Sequence, residues 1–342
     1  RCNMINNELK KALLSNGSFT DIIGQETTKE QLKSALLSER NVIIIGPPGI
    51  GKTTLAKNVA KLLPDMTVND CGFNCLPEKT VCQQCKAGAK PTKKKSKGSE
   101  RFIRVQGSPD LTAEDLLGDI DPIKALKFGP TSQEAFSPGK IFRANNGVLF
   151  FDELNRCPQR LQNALLQVLE EKKATLGSYK VDLDSGFIFI GTLNPYDSST
   201  EKLSDVFLDR FDLIYMTYPE NHETEKRIVI EKGKRIEPVE FPQQLLDFTI
   251  SFVRQLRENK KLEKLPSVRA TLGLYERAQA NALLRKHKQV QQEDVKDAIM
   301  SVLAHRIGLK PSARYAMSPE EFIKEELEDF SQDHQMLQGD GR

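Results

Sequence analysis

Apolar positions along this chain follow two spacings, and the change from one to the other divides it. In the first two-thirds, short unbroken apolar runs are separated by stretches of helical period. The runs are Asn41 to Ile45, Phe102 to Gln106, Gly147 to Phe151, Phe187 to Ile190 and Leu213 to Tyr218. Each is short and rich in β-branched or aromatic residues, the pattern of strands in the interior of a sheet. Ile5, Leu9 and Leu13 predict a helix over 4–18, closed near Asn16-Gly17. Leu32, Leu36 and Leu37 predict a helix leading into the first run, and Leu55, Val59, Leu62 and Leu63 one leading out of it, stopped by Pro64. Leu161, Leu165, Leu166 and Leu169 predict another after the third run. From Phe241 the period is helical throughout, over 242–258, 268–287, 291–307 and 319–337. The pattern describes an α/β part followed by an all-α part.

Some stretches fit neither spacing. Residues 111–145 read as an irregular connection, with Leu116-Leu-Gly118-Asp119-Ile-Asp121 and a Phe136-Ser-Pro-Gly139 turn. Gly177-Ser178 between alternating residues predicts a two-residue hairpin, flanked by Lys172, Lys173 and Lys180. Residues 86–97 have no apolar period and read as a mobile loop.

Composition narrows the class. The chain has 342 residues, 38% hydrophobic and 28% charged, enough for one large or two medium globular domains. No apolar run approaches membrane-spanning length and no signal-peptide pattern opens the chain, so the expected compartment is the cytoplasm, with no membrane partner. The net charge of +3 conceals an asymmetry: residues 86–104 carry a local +7, which leaves the remainder at −4. A nucleic-acid partner would have to use that basic segment, which otherwise is simply solvated.

The first run opens into the chain's most specific motif. Gly46-Pro47-Pro48-Gly49-Ile50-Gly51-Lys52-Thr53 matches G-x-x-x-x-G-K-[ST] at every fixed position, between a strand and a helix N-terminus. Glycines allow φ > 0, so that successive backbone N–H groups converge on phosphate oxygens, and the helix dipole adds positive potential there. Lys52 is expected to reach the β- and γ-phosphates and Thr53 to ligate Mg²⁺, with Thr54 beside it. The third run ends in Asp152 and Glu153: Asp152 is placed to hold Mg²⁺, and Glu153 to orient and deprotonate an attacking water. Asn194, just past the fourth run, could share that water. Ile22, Ile23 and Gly24 precede the first strand and either pack on an adenine ring or fill the core. Arg269 falls in the first turn of a helix that Pro266-Ser267 would cap, against the dipole, which suggests a role beyond the helix.

Cys71, Cys75, Cys82 and Cys85 are spaced C-x3-C-x6-C-x2-C. In a cytosolic chain two close pairs suit a tetrathiolate Zn²⁺ site of structural type; an iron–sulfur cluster uses the same ligands, and free or redox thiols are the third reading. The terminal segment 319–342 carries eight Asp/Glu against Lys324 and Arg342, with Ile323, Leu327 and Phe330 forming one apolar face. That face could dock on its own domain or on a partner.

From Phe19 to about Leu309 the chain resembles the AAA+ ATPases, and within them the magnesium-chelatase I-subunit and MoxR group. Phe19-Thr-Asp-Ile-Ile-Gly-Gln-Glu26, the phosphate loop, Asp115 to Asp121, Arg143-Ala-Asn-Asn-Gly147, the Asp152-Glu153 strand, Thr192-Leu-Asn194-Pro195 and Leu208-Asp-Arg210-Phe211 carry the likeness. The resemblance implies a five-stranded parallel sheet in an ATP-binding domain over 1–220, with the cysteine-rich insertion at about 65–101. A smaller helical lid over 221–310 and an acidic tail over 311–342 follow. It makes Asn194 sensor 1, Arg210 an arginine finger and Arg269 the sensor 2 arginine, and gives Gln106 a part in restraining Glu153. It further implies a ring, usually a hexamer, hydrolysing ATP to remodel or activate a protein partner. The foremost expectation is the motor of a magnesium-chelatase-like metal-insertion complex, whose partner carries an adhesion-type metal-binding domain. A MoxR-type chaperone and a nucleic-acid translocase are the other readings.

Overall fold

The computed structural model describes residues 7–15, 17–88, 91–129, 135–171, 173–176, 179–182, 186–195 and 203–339. The chain divides into two units, Arg1–Gly46 with Gly51–Met216, and Pro47–Ile50 with Thr217–Arg342.

The first unit is built on the five apolar runs, which form β1 (Val42–Ile45), β2 (Phe102–Gln106), β3 (Gly147–Asp152), β4 (Phe187–Leu193) and β5 (Asp212–Tyr215). All neighbours pair in parallel, in the order β5-β1-β4-β3-β2. Residues 42–44 of β1 and 148–151 of β3 are fully buried, as expected of strands covered on both faces. β5 stops at Tyr215, short of the expected Tyr218, because its neighbour β1 ends at Ile45 and leaves no ladder beyond it. Helices α1 (Lys52–Leu62) and α2 (Gln159–Glu171) follow β1 and β3, and two N-terminal helices, Asn7–Leu14 and Glu26–Leu37, bury Leu9, Leu13, Leu32 and Leu36. One core joins Ile43, Leu149, Phe151 and Phe189 of the sheet to Leu161, Leu165 and Val168 of α2.

Two sequence expectations are corrected here. The described part of 111–145 is not irregular: Ala113–Leu117 and Pro122–Phe128 are helical, capped by Thr112 and Asp121, and Gly118–Ile120 pairs antiparallel with Phe136–Pro138. These elements are shorter than the window in which a period can be read. Residues 93–96 are not loop either; Lys93–Ser96 pairs antiparallel with Met66–Asn69. Backbone hydrogen bonds and ion pairs from Lys94 to Asp70 (2.7 Å) and Lys95 to Asp65 (3.4 Å) hold this strand, whose three lysines stay exposed. Lys173–Leu176 and Tyr179–Asp182 form the expected hairpin with Leu176 opposite Tyr179, while Lys172, Gly177 and Ser178 lie outside the described residues.

The second unit is helical, with α3 (His222–Lys232), α4 (Gln243–Glu258), α5 (Val268–Leu284), α6 (Gln292–Leu303) and α7 (Pro319–Gly339). Helix α3 lies ahead of Phe241, where the helical period becomes visible, because it buries Glu225 and Lys226 where a legible apolar stripe would have hydrocarbon. The acidic helix α7 lays Phe322, Ile323 and Phe330 into the core of its own unit, with the Phe330 ring 5.0 Å from Phe248 and 5.4 Å from Phe252. No helix among the described residues is long and apolar enough to cross a membrane.

Candidate active site

Parallel register brings the candidate groups of the first unit to one edge. Ile45 lies opposite Leu193 and Gly191 opposite Phe151, so the loop after β1, Asn194 after β4 and the Asp152-Glu153 end of β3 all sit at the carboxyl ends of neighbouring strands. Open α/β sheets bind ligands at that edge.

In the phosphate loop, Gly49 (φ 78°) and Gly51 (φ 100°) adopt the left-handed conformation the motif calls for, and Gly51 caps α1. Lys52 donates to the Gly46 carbonyl, and Gly46 N–H donates to Leu193 O at 3.2 Å. Thr53 and Thr54 occupy the first turn of α1. A Cβ on Gly51 would stand 3.3 Å from Ile22 Cδ1, so Ile22 is beside the loop, buried with Ile23, and Gly24 (φ 69°) turns the chain away. The preceding Asp21 ties this segment to α1 by an ion pair with Lys61 and a 3.2 Å hydrogen bond from Asn58. At the loop's tip, in the second unit, a Cβ on Gly49 would meet Ser267 Oγ at 2.8 Å and Arg269 carbons at 3.0 Å. Arg269 is exposed in the first turn of α5, and Ser267 holds the N-cap position without a side-chain cap bond, contrary to expectation.

Asp152 and Glu153 are held differently. Asp152 is 9% exposed; its Oδ1 accepts from the fully buried Thr192 hydroxyl at 2.7 Å and its Oδ2 from Arg104 at 2.6 Å. Glu153 sits at φ 54°, its N–H donating to Thr192 Oγ1 at 2.9 Å. Its carboxylate accepts from Gln106 Nε2 at 2.9 Å and pairs with Arg156 at 3.3 Å, side chain one-third exposed. The buried Asn155 donates to the Asn194 carbonyl at 3.4 Å, and its own Oδ1 has no partner. Arg104, Thr192, Asn155 and Arg156 are site residues to which sequence reasoning gave no role of their own; Thr192 entered only as part of the stretch Thr192–Pro195. Arg210 is bound by Glu170 of α2 and the Val206 carbonyl, not by Asp209 or Asp212. Hydroxyl and carboxylate oxygens at Thr53 and Asp152 are the donors Mg²⁺ takes, and the glycine cradle suits a polyphosphate.

The four predicted cysteines also come together: their sulfurs lie within 4.8 Å of one another, a donor set compatible with zinc. The fifth described cysteine, Cys157, stands apart after β3, its thiol pushed up to about 11 by burial.

Known proteins resemble the chain along most of its length. Residues 18–94 match the family described as magnesium chelatase, subunit ChlI; residues 88–213 match the ATPase family associated with various cellular activities; and residues 261–329 match the AAA lid domain. The uncharacterized protein YeaC of Bacillus subtilis is 26% identical over 317 residues, covering 86% of this chain and 85% of that protein. Chaperone MoxR1 of Mycobacterium tuberculosis is 25% identical over 340 residues (90% and 78%). The chloroplastic magnesium-chelatase subunit ChlI-2 of Arabidopsis thaliana is 27% identical over 327 residues (86% and 76%).

Proposed function

Because the chain belongs to the AAA+ ATPases of the magnesium-chelatase and MoxR group, we propose that it is a ring-forming motor whose ATP hydrolysis remodels or activates a protein partner. ATP and Mg²⁺ are its cofactors; Thr53 and Asp152 would hold the ion, which would supply neutralisation of phosphate charge. Lys52 counters the terminal phosphates, and Glu153 takes the proton of the attacking water. Gln106 aims the Glu153 carboxylate, Thr192 fixes its backbone and the neighbouring Asp152, and Asn155 holds the segment carrying Asn194. The observation that carries this reading is the clamp of Thr192 on both Asp152 and Glu153, which presents the two carboxylates in fixed and separate roles.

Arg210 supplies the link between hydrolysis and assembly: its guanidinium stabilises charge on the phosphate held by the neighbouring subunit. Its pairing with Glu170 orients it in the isolated chain. A metal-insertion complex with a partner bearing an adhesion-type metal-binding domain is the first assignment, supported by the chelatase match at 18–94. A MoxR-type chaperone is the second, supported by a likeness covering 78% of MoxR1. The basic segment gives less support to a nucleic-acid partner, since Lys94 and Lys95 are already paired with aspartates. We assign the protein to the cytoplasm, where its cysteines stay reduced.

Mixing two inactive variants tests the ring. Arg210→Ala should bind ATP but hydrolyse it ~10³–10⁵-fold more slowly. Adding Glu153→Gln, inactive itself but with Arg210 intact, should restore part of the activity, since some sites then join a sound Glu153 to a neighbour's Arg210. Near wild-type turnover by Arg210→Ala, or no rescue at any ratio in rings shown to be mixed, would overturn the assignment.

A further inference from the structure

The cysteine-rich insertion has little hydrocarbon of its own. Its own cluster comprises Cys75, Cys82 and Cys85 with Cys71, Phe73 and Val81 against them, far too little hydrocarbon to fix a loop of this length. Polar geometry around the sulfurs is ordered all the same. The backbone N–H groups of Val81 and Cys82 both donate to Cys75 Sγ at 3.3 Å, and Cys85 N–H donates to Cys82 Sγ at 3.4 Å. Asn69, buried, donates its side-chain amide to Cys85 Sγ at 3.5 Å. Sulfurs that collect N–H donors are oriented as acceptors, the arrangement that supports a metal-bound thiolate. A tetrahedral ion with bonds of ~2.3 Å sets its sulfurs ~3.8 Å apart, within the spacing found here.

The opposite side of the insertion grips the root of the catalytic strand. Asn145, 2% exposed, donates to the carbonyls of Phe73 (3.0 Å) and Asn74 (3.2 Å), and Asn146 donates to Asn74 at 2.9 Å. Asn74 returns a hydrogen bond to Arg143 O at 3.2 Å. The buried Arg101, which closes the insertion, donates to Asn146 O at 2.8 Å, Ser96 O at 2.7 Å and Pro64 O at 2.6 Å. Residue 147 begins β3, and Gly186, which exchanges hydrogen bonds with Asn145 Oδ1 (3.2 Å) and Asn146 N–H (2.7 Å), immediately precedes β4. The same clamp therefore sets the origin of both strands whose far ends carry Asp152, Glu153 and Asn194.

We propose that Cys71, Cys75, Cys82 and Cys85 bind one Zn²⁺, and that the zinc-folded module, through the Asn74–Asn145–Asn146 clamp, holds β3 and β4 in the register that hydrolysis requires. Asn145 is then a positioning residue that acts through the strands, and zinc occupancy controls turnover without touching nucleotide. The proposal rests on the ATPase reading for its functional half only; the metal site stands on the thiolates.

Elemental analysis of the full chain, prepared without chelator, should give one zinc per chain, and Co²⁺ in its place should show the intense visible bands of a tetrahedral thiolate site. Iron, or no metal, would overturn the zinc site. Asn69→Ala, with all four ligands kept, should weaken zinc binding about 10–100-fold; unchanged affinity would remove the support assigned to its amide. Stripping zinc from the wild type should lower kcat roughly tenfold and speed hydrogen exchange over 144–149, with ATP affinity retained. Asn145→Ala should keep its zinc and reproduce that loss of kcat without a change in KM. A zinc-free protein with wild-type kcat and exchange would overturn the coupling, as would one that no longer binds ATP, because that reports general unfolding. A zinc-loaded wild type unable to hydrolyse ATP would instead sink the motor reading and leave the metal site standing.

Discussion

At Glu225 a carboxylate is enclosed completely. Arg257 grips it with two hydrogen bonds of 2.6 and 2.7 Å, Thr271 donates at 2.6 Å and Arg254 adds a contact at 3.3 Å. Glu153 also has an arginine and an amide, yet a third of its side chain meets solvent and its arginine, Arg156, stands 3.3 Å away. Glu225 joins α3, α4 and α5, and every lone pair is occupied by a group that goes nowhere. Glu153 ends a rigid strand with its backbone fixed and its carboxylate only steered. The same residue type is thus saturated by its partners at Glu225 and left a free direction at Glu153, as the base role proposed for Glu153 requires.

The sharpest break between the two sites is in turnover. Glu153→Gln should lower kcat by ~10²–10⁴-fold, the range for loss of a general base, with melting temperature and ATP binding kept. Lys52→Ala should lose ATP binding itself, because in its proposed role Lys52 counters charge already present in the ground state. Steady-state hydrolysis beside a binding titration separates them; undiminished turnover in Glu153→Gln would remove the base from that residue.

At Glu225 the larger effect is on stability. Glu225→Gln leaves Arg257, 7% exposed, short of its counter-charge and should cost about 3–5 kcal/mol of folding free energy, as breaking a buried pair does. Turnover per folded molecule should stay near wild type, read by denaturant unfolding alongside activity. The pH dependence follows in sign. Burial by itself raises the Glu225 carboxyl, but Arg257, then Thr271 and Arg254, outweigh it and hold the carboxyl below its ordinary value. A lowered folded value means that this contribution is complete above the unfolded pKa, about 4.3, and is lost as the pH falls through the folded value. The wild type should therefore lose stability below about pH 4 more steeply than Glu225→Gln; parallel acid limbs would show that the pair is not the source.

The two sites were unequally legible in the sequence. Lys52, Thr53, Asp152 and Glu153 stood out because each lies in a contiguous motif beside an apolar run, and the five runs became the five strands. Thr192 and Arg104 reach Asp152 from neighbouring strands, a proximity created by register and not written in spacing. Glu225 was hidden for a different reason: α3 puts charge where an apolar stripe would have marked its buried face. The strand at Lys93–Ser96 was missed because three successive lysines erase the alternation, although the backbone ladder needs none. The four cysteines were visible by count and spacing; the asparagine clamp joining them to β3 was not, since it links residues some seventy positions apart.

The smallest expected effect tests how Asp152 differs from both glutamates. One of its oxygens is satisfied by the buried Thr192 hydroxyl, and the other by Arg104, whose side chain is 52% exposed. An ion pair with one partner so solvated contributes about 0–1 kcal/mol, so Arg104 would compete only weakly with the Mg²⁺ ion proposed to sit on that oxygen. Arg104→Ala should accordingly lower the Mg²⁺ concentration needed for half-maximal hydrolysis, by up to about fivefold, with kcat at saturating Mg²⁺ little changed. Arg104 also touches Gln106 Oε1 at 2.9 Å, so a fall in kcat at saturating Mg²⁺ would mean that its main work is to set Gln106 against Glu153. An unchanged Mg²⁺ requirement with unchanged kcat would mean that Asp152 engages the ion through water and that Arg104 and the metal do not share the oxygen.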